Sequence, residues 1–201
     1  DCLTNGPRTY IISAIDSSNK FSQGFTYCTG LIVAGVDKKT GKNVSFATHQ
    51  PPFFTHNLVP DHSNPDFFRD LRKQLEKMKE RCKLGTIDAR IVGGKYIVAE
   101  FSNDYKEIYF KTIKLLSKKV QDVLGFEPAV INGPKTIELF GDDFFYDNEY
   151  RRLYFLRPKI NPKTNSFPAS EIDKHKHEWE WITLNRSKLK VSIRLFWTSG
   201  G

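Results

Sequence analysis

The sequence predicts an α+β fold: a sandwich of mixed β-sheets packed with two principal helices and finished by a C-terminal β extension. Two observations carry this. Short runs rich in β-branched and aromatic residues recur between turn-forming Gly, Pro, Asn and Asp. Two longer segments, one from Ser63 and one from about Asn103, instead repeat their apolar residues with a period of 3.6.

The elements follow in order. Arg8-Thr-Tyr-Ile-Ile-Ser-Ala-Ile15 reads as an opening strand. Ser22-Gln-Gly24-Phe-Thr26-Tyr27-Cys28-Thr29-Gly30 reads as a Gly-containing turn from which Leu31-Ile-Val-Ala34 leaves as an apolar strand. The turn Asp37-Lys-Lys-Thr40-Gly41 sends the chain back through Val44-Ser-Phe-Ala-Thr48 to His49. From Gln50 to Pro65 the chain forms a loop long enough for a lid or binding element.

Ser63-Asn64-Pro65-Asp66 is a helix start, with a capping residue, Pro at the first helical position and an acid in the first turn. That helix carries Phe68, Leu71, Leu75, Met78 and Cys82 on one stripe, and Gly85 follows it. Thr86–Val92 is a strand that Gly93-Gly94 turns towards a partner, Tyr96–Phe101. The second helix runs to Leu124, with Tyr109, Ile113, Leu116, Val120 and Leu124 in line and Gly125 as its stop. Strands are expected at Pro128–Ile131, Thr136–Phe140 and Arg152–Leu156. After the Pro- and Asn-rich break Arg157–Pro168, Glu178–Leu184 and Leu189–Trp197 close the chain. Residues 1–157 therefore form the core, and 158–201 an extension packed on the same domain.

The 201 residues suffice for one good core. A net charge of +8 gives a basic surface, suited to an anionic partner such as an acidic protein face. No apolar run reaches the roughly eighteen residues of a membrane span. Three scattered cysteines, Cys2, Cys28 and Cys82, fit neither a disulfide framework nor a metal knuckle. They favour a cytoplasmic protein, with a secreted effector as the other setting. Cys82, on an apolar helix face, reads as a small buried hydrophobe. His175 and His177 share a strand face without a third ligand at fixed spacing, so no metal is expected. Trp179, Trp181 and Trp197 read as core or interface, which makes nucleic acid an unlikely partner.

Chemistry concentrates at the first strand pair. Strands joined by the Asp37–Gly41 turn bring the Cys28 thiol and the His49 imidazole to one end of a sheet, as a nucleophilic cysteine requires. The imidazole and the N–H groups of the Cys28-Thr29 turn are expected to favour the thiolate, and those N–H groups to stabilise an oxyanion. A hydroxyl, from Ser22 or else Thr26, would orient the imidazole, and Gln50 could act as a supporting donor.

This arrangement resembles the CheD-like chemotaxis-receptor glutamine deamidases, a group that extends to toxin deamidases of the cytotoxic-necrotizing-factor type. The resemblance covers roughly Tyr10 to Leu156. It implies Cys28 as nucleophile, His49 as base, and Ser22 at the position of a Thr six residues before the cysteine. It further implies a protein substrate with an exposed Gln, conversion of that Gln to Glu through a thioester, and no cofactor. Phe101-Ser-Asn-Asp-Tyr105 departs from the Gly-Ala-Arg-Asn type sequence of chemotaxis members, the loop from His49 to Pro65 is distinctive, and the segment after Arg157 has no counterpart. The other expectation is a catalytically silent module of the same kind, whose basic surface recognises an acidic protein.

Overall fold

The computed structural model describes residues 2–3, 10–25, 27–53, 64–94, 103–132, 142–156 and 193–198. Their order is β1 (Cys2–Leu3), β2 (Ile11–Ile12), β3 (Lys20–Phe25), β4 (Thr29–Val36), β5 (Asn43–His49), α1 (Asn64–Arg81), β6 (Asp88–Gly93), α2 (Asn103–Leu124), β7 (Ala129–Asn132), β8 (Asp142–Asp147), β9 (Arg152–Leu156) and β10 (Ile193–Thr198). The fold is α+β. Among the described residues, ten strands form two five-stranded sheets, ordered β1-β3-β8-β9-β10 and β2-β5-β4-β6-β7. β1 with β3 and β6 with β7 pair parallel, while the remaining pairs are antiparallel.

Strand alternation sorts the core into two layers. Leu31 and Val33 of β4 and Val44 and Phe46 of β5 face Phe67, Leu71, Leu75 and Met78 of α1 and Leu116 and Val120 of α2. The intervening residues Ile32, Ala34 and Ala47 face Phe25, Phe144, Tyr146 and Leu153 of the other sheet. Helices, one sheet and a second sheet are thus stacked in that order, and β4 and β5 are covered on both faces. Each fully buried Leu, Met or Phe contributes about 1.5–3 kcal/mol.

The β4–β5 hairpin closes as its sequence dictates. Asp37 Oδ1 accepts from the N–H groups of Lys39 and Thr40 (2.8 and 3.0 Å), and Gly41 takes the left-handed φ of 69° that the turn needs. Asp37 Oδ2 also meets Arg81 Nε at 2.6 Å, tying this turn to the end of α1. The stripe expected on α1 is buried, with Phe67 rather than Phe68 as its first fully buried residue, and Cys82 is 1% exposed. At the end of α2, Gly125 adopts φ 84° and donates to Gln121 O at 2.9 Å.

Strands β3 and β8 differ from expectation, and the short β1 was not expected. Ser22 to Phe25 belongs to β3, not to a turn; its irregularity is confined to a register shift between Ser22 and Phe25 opposite β8. Two of the buried positions of β3, Lys20 and Ser22, are polar and give no apolar alternation to read ahead of Phe25. β8 was also unmarked in the sequence: Phe144, Phe145 and Tyr146 are all buried, so neighbouring residues show no in–out pattern. β10 pairs with β9, Ile193 opposite Leu156 and Thr198 opposite Arg152. The expected strands at 96–101, 136–140 and 178–184, most of the 50–65 loop, and the histidines at 175 and 177 lie outside the described residues. No described helix is long and apolar enough to cross a membrane.

Candidate functional site

The register of β4 and β5 decides what lies beside Cys28. Ile32 pairs with Ala47, and Thr29 bridges Gln50 through reciprocal backbone bonds of 2.9 Å. Counting between these pairs sets Gly30 opposite His49 and makes Cys28, one residue before the bridge, a diagonal neighbour of His49 on the same face. Such diagonals are about 7–8 Å apart at the backbone, within reach of longer side chains. That face is the one between the sheets: Cys28 packs against the layer of Phe25, Ile32, Ala47 and Val92.

Ser22 reaches the same place from the other sheet. Its Oγ lies 2.8 Å from His49 Nδ1 in a buried hydrogen bond that joins β3 to β5 across the layer. Of the three residues singled out in the sequence, Ser22 and His49 therefore meet, and Cys28 lies on the same face of the layer. With Nδ1 protonated and donating to Ser22, His49 carries its lone pair on Nε2, the assignment a general base requires.

The imidazole is also held by a ring. Phe25 stacks on His49 with centroids 4.1 Å apart and planes 19° from parallel. Two glycines make room for it. A Cβ on Gly30 would lie 3.0 Å from Phe25 Cε1 and 2.7 Å from Thr48 O, and one on Gly93 only 2.5 Å from Phe25 Cδ1. Gly93 and Gly94 both have positive φ, 79° and 72°, and the Gly94 N–H donates to the Cys28 carbonyl at 2.8 Å. The Gly93-Gly94 pair, read in the sequence only as a turn, thus fixes the peptide that carries the thiol.

A polar chain locks the strand ends around His49. Thr48 Oγ1 accepts from the Leu31 N–H (2.9 Å) and donates to Gln50 Oε1 (2.7 Å), and Gln50 Nε2 donates to Thr29 Oγ1 (3.0 Å). Gln50 and Thr29 are each 1% exposed. Gln50 is thereby a brace between β4 and β5. Thr29 serves the same brace, and its N–H is engaged by the Gln50 carbonyl, so it does not supply the expected oxyanion bond. Thr26 lies outside the described residues.

The electrostatics correct a second expectation. Cys28 is a free, half-buried thiol, and burial pushes its pKa up to about 11. Loss of hydration outweighs any help to the thiolate, so the resting thiol is neutral. Phe25 and Gly30 were the residues missed in the sequence. Their signal was weak, an aromatic three positions before the cysteine and a glycine two after it. No described group of three or more His, Cys, Asp or Glu side chains is arranged to hold a metal.

No protein-family model matches the chain, and no curated protein matches it either.

Proposed function

We propose that the chain is a cysteine-dependent amidohydrolase acting on glutamine side chains of proteins, the chemistry its resemblance to CheD-like deamidases implies. The observation that carries the reading is the 2.8 Å contact between Ser22 Oγ and His49 Nδ1. It gives a buried histidine a fixed ring orientation on the face it shares with a free cysteine.

Because the thiol is neutral at rest, attack and deprotonation belong to one step. Cys28 Sγ adds to the carboxamide carbon as its proton passes to His49 Nε2. In this reading the Cys28 N–H, one residue outside the ladder, is the donor to the oxyanion. The imidazolium returns the proton to nitrogen, the C–N bond breaks, and ammonia leaves a thioester. Water, deprotonated by His49, then adds to the thioester carbon; the C–S bond breaks, giving Glu and the thiol. The sum is Gln plus water to Glu plus ammonium.

One observation favours the second reading, a silent module that binds an acidic protein partner: the burial that raises the Cys28 thiol. Ammonia release separates the two. Wild type incubated with a fractionated cell lysate should release ammonia and convert Gln to Glu in a discrete set of peptides. Cys28→Ala should abolish this and His49→Ala lower it by about 10²–10⁴-fold, both with native near-ultraviolet dichroism. Equal Glu formation with wild type and Cys28→Ala would leave only the binding reading.

A further inference from the structure

We propose that the groove between β2 and α1 is a docking site for an extended acidic segment of a partner protein. The groove holds a cavity of about 940 Å³, within the size range of specific ligand sites. Its floor is apolar, made by Ile12, Ala14 and Ile15. Its rim carries the cations Lys38, Lys39, Lys77 and Arg81. Two acids also line it: Asp37 is neutralised by Arg81, and Glu80 leaves the three lysines in excess.

The walls are fixed. Tyr10 Oη donates to Asp70 Oδ2 (2.7 Å), Gln74 Nε2 to the Ser13 carbonyl (2.8 Å) and Arg81 Nη1 to the Ile15 carbonyl (2.7 Å). These bonds pin β2 to one row of α1, and Lys77 stands in that row between Gln74 and Arg81. The far wall is the β4–β5 turn, where Lys38 Nζ donates to the Glu80 carbonyl at 2.6 Å. Arg81 is thus committed to Asp37 and β2, and Lys38 to the end of α1. Lys39 and Lys77 are exposed, and among the described residues their side chains have no hydrogen-bond or ion-pair partner. A rigid groove therefore presents two uncommitted cations beside a partly exposed apolar floor.

Charge complementarity selects an anion, and the floor selects its kind. Single-stranded nucleic acid needs aromatic faces on which its bases stack, and none lines the groove. A peptide that mixes carboxylates with apolar side chains satisfies both rim and floor. β2 is the outermost strand of its sheet, so no described strand closes the groove on that side. From Gln74 to Arg81 the groove follows α1 for about 10 Å, room for about three extended residues. The turn bearing Lys39 lies at the opposite end of β4 from Cys28, about 25 Å along the strand. Docking here is separate from Cys28 and His49 and does not depend on amide turnover. It gives the basic surface a specific address.

The probes are fluorescein-labelled peptides of about ten residues in which Glu and Asp alternate with Leu, Val and Ser in several orders. Their neutral Gln and Asn counterparts and a single-stranded DNA of matched charge serve as comparisons. Fluorescence anisotropy with the full chain should give a micromolar Kd for at least one acidic peptide and no binding of its neutral form. Amide shifts in ¹⁵N spectra should cluster at Ile12–Ile15, Lys38–Thr40 and Gln74–Arg81. Lys39→Glu/Lys77→Glu should weaken the acidic peptide about tenfold or more. Lys114→Glu/Lys118→Glu makes the same charge change at exposed positions of α2 and should weaken it by about twofold at most. All four lysines are exposed, so native circular dichroism is expected of both variants. Equal loss in the two variants would reduce the attraction to net charge and overturn the groove. So would absence of binding, shifts elsewhere, or a DNA that binds more tightly than every peptide. None of these outcomes touches the amidohydrolase reading, which ammonia release decides.

Discussion

Cys28 shows how a residue can be well placed and still quiet. Its thiol sits on the same face as an oriented imidazole, yet burial holds its pKa near 11, so at pH 7 only about one molecule in 10⁴ carries a thiolate. Alkylation by iodoacetamide in the absence of substrate should therefore be slow at neutral pH. It should rise about 100-fold between pH 7 and 9, with no plateau in that range. Peptide mass spectrometry against time at each pH measures this; a plateau near pH 7 would mean a preformed thiolate–imidazolium pair. The sequence made the cysteine and the histidine visible because two short strands and one tight turn suffice to bring them together. It did not reveal the protonation state, which depends on a layer of residues from β3, β8 and β9 that no local pattern announces.

At the scale of elements, legibility followed the clarity of the buried face. α2 was read to its termini because Leu116 and Val120 are deeply buried within one period and Gly125 stops the helix. β4 was found as an uninterrupted apolar run, which is what a strand covered on both sides looks like, and β5 as Val44-Ser-Phe-Ala-Thr48 behind the Asp37–Gly41 turn. β3 escaped because its inward residues include a lysine and a serine. The serine is the one that meets His49, so the feature that hid the strand is also the one that equips the site. The β4–β5 brace gives an element-level prediction. Gln50→Leu keeps the volume but strips Thr48 Oγ1 and Thr29 Oγ1 of their side-chain partner. It should cost about 1–3 kcal/mol in urea unfolding and speed hydrogen exchange at the ends of β4 and β5. Unchanged stability would show that the strand pairing alone holds His49 in place.

For the whole molecule, shifted titrations define a window of stability. Cys28 is raised from 9.0 to about 11 and Tyr109 from 10.0 to about 12, both by burial. Tyr10 moves to about 12, through burial and then its bond to Asp70. Each holds its proton more tightly in the folded state, so its contribution is complete below pH 9 or 10 and fades as pH climbs towards 11 or 12. Asp37 moves the other way, from 3.8 to about 2, chiefly through its hydrogen bond from Arg81. Its contribution is complete above about pH 4 and is lost as pH falls towards 2. The melting temperature should be flat from about pH 4 to 9 and decline on both sides. Asp37→Asn should flatten the acid limb, and Cys28→Ala should soften the start of the alkaline one. An unaltered acid limb in Asp37→Asn would place acid sensitivity elsewhere.

The hydrogen bond between Ser22 and His49 joins two different sheets, so it forms only when the sheets have closed on each other. A chain in which each sheet has formed but the two have not yet closed on each other holds the thiol and the imidazole without the hydroxyl that aims them. The thiol is then still hydrated and closer to its ordinary acidity. In such a half-assembled chain the thiol is more open to oxidation. Closure of the layers changes both conditions at once: it aims the imidazole and withdraws the thiol from water.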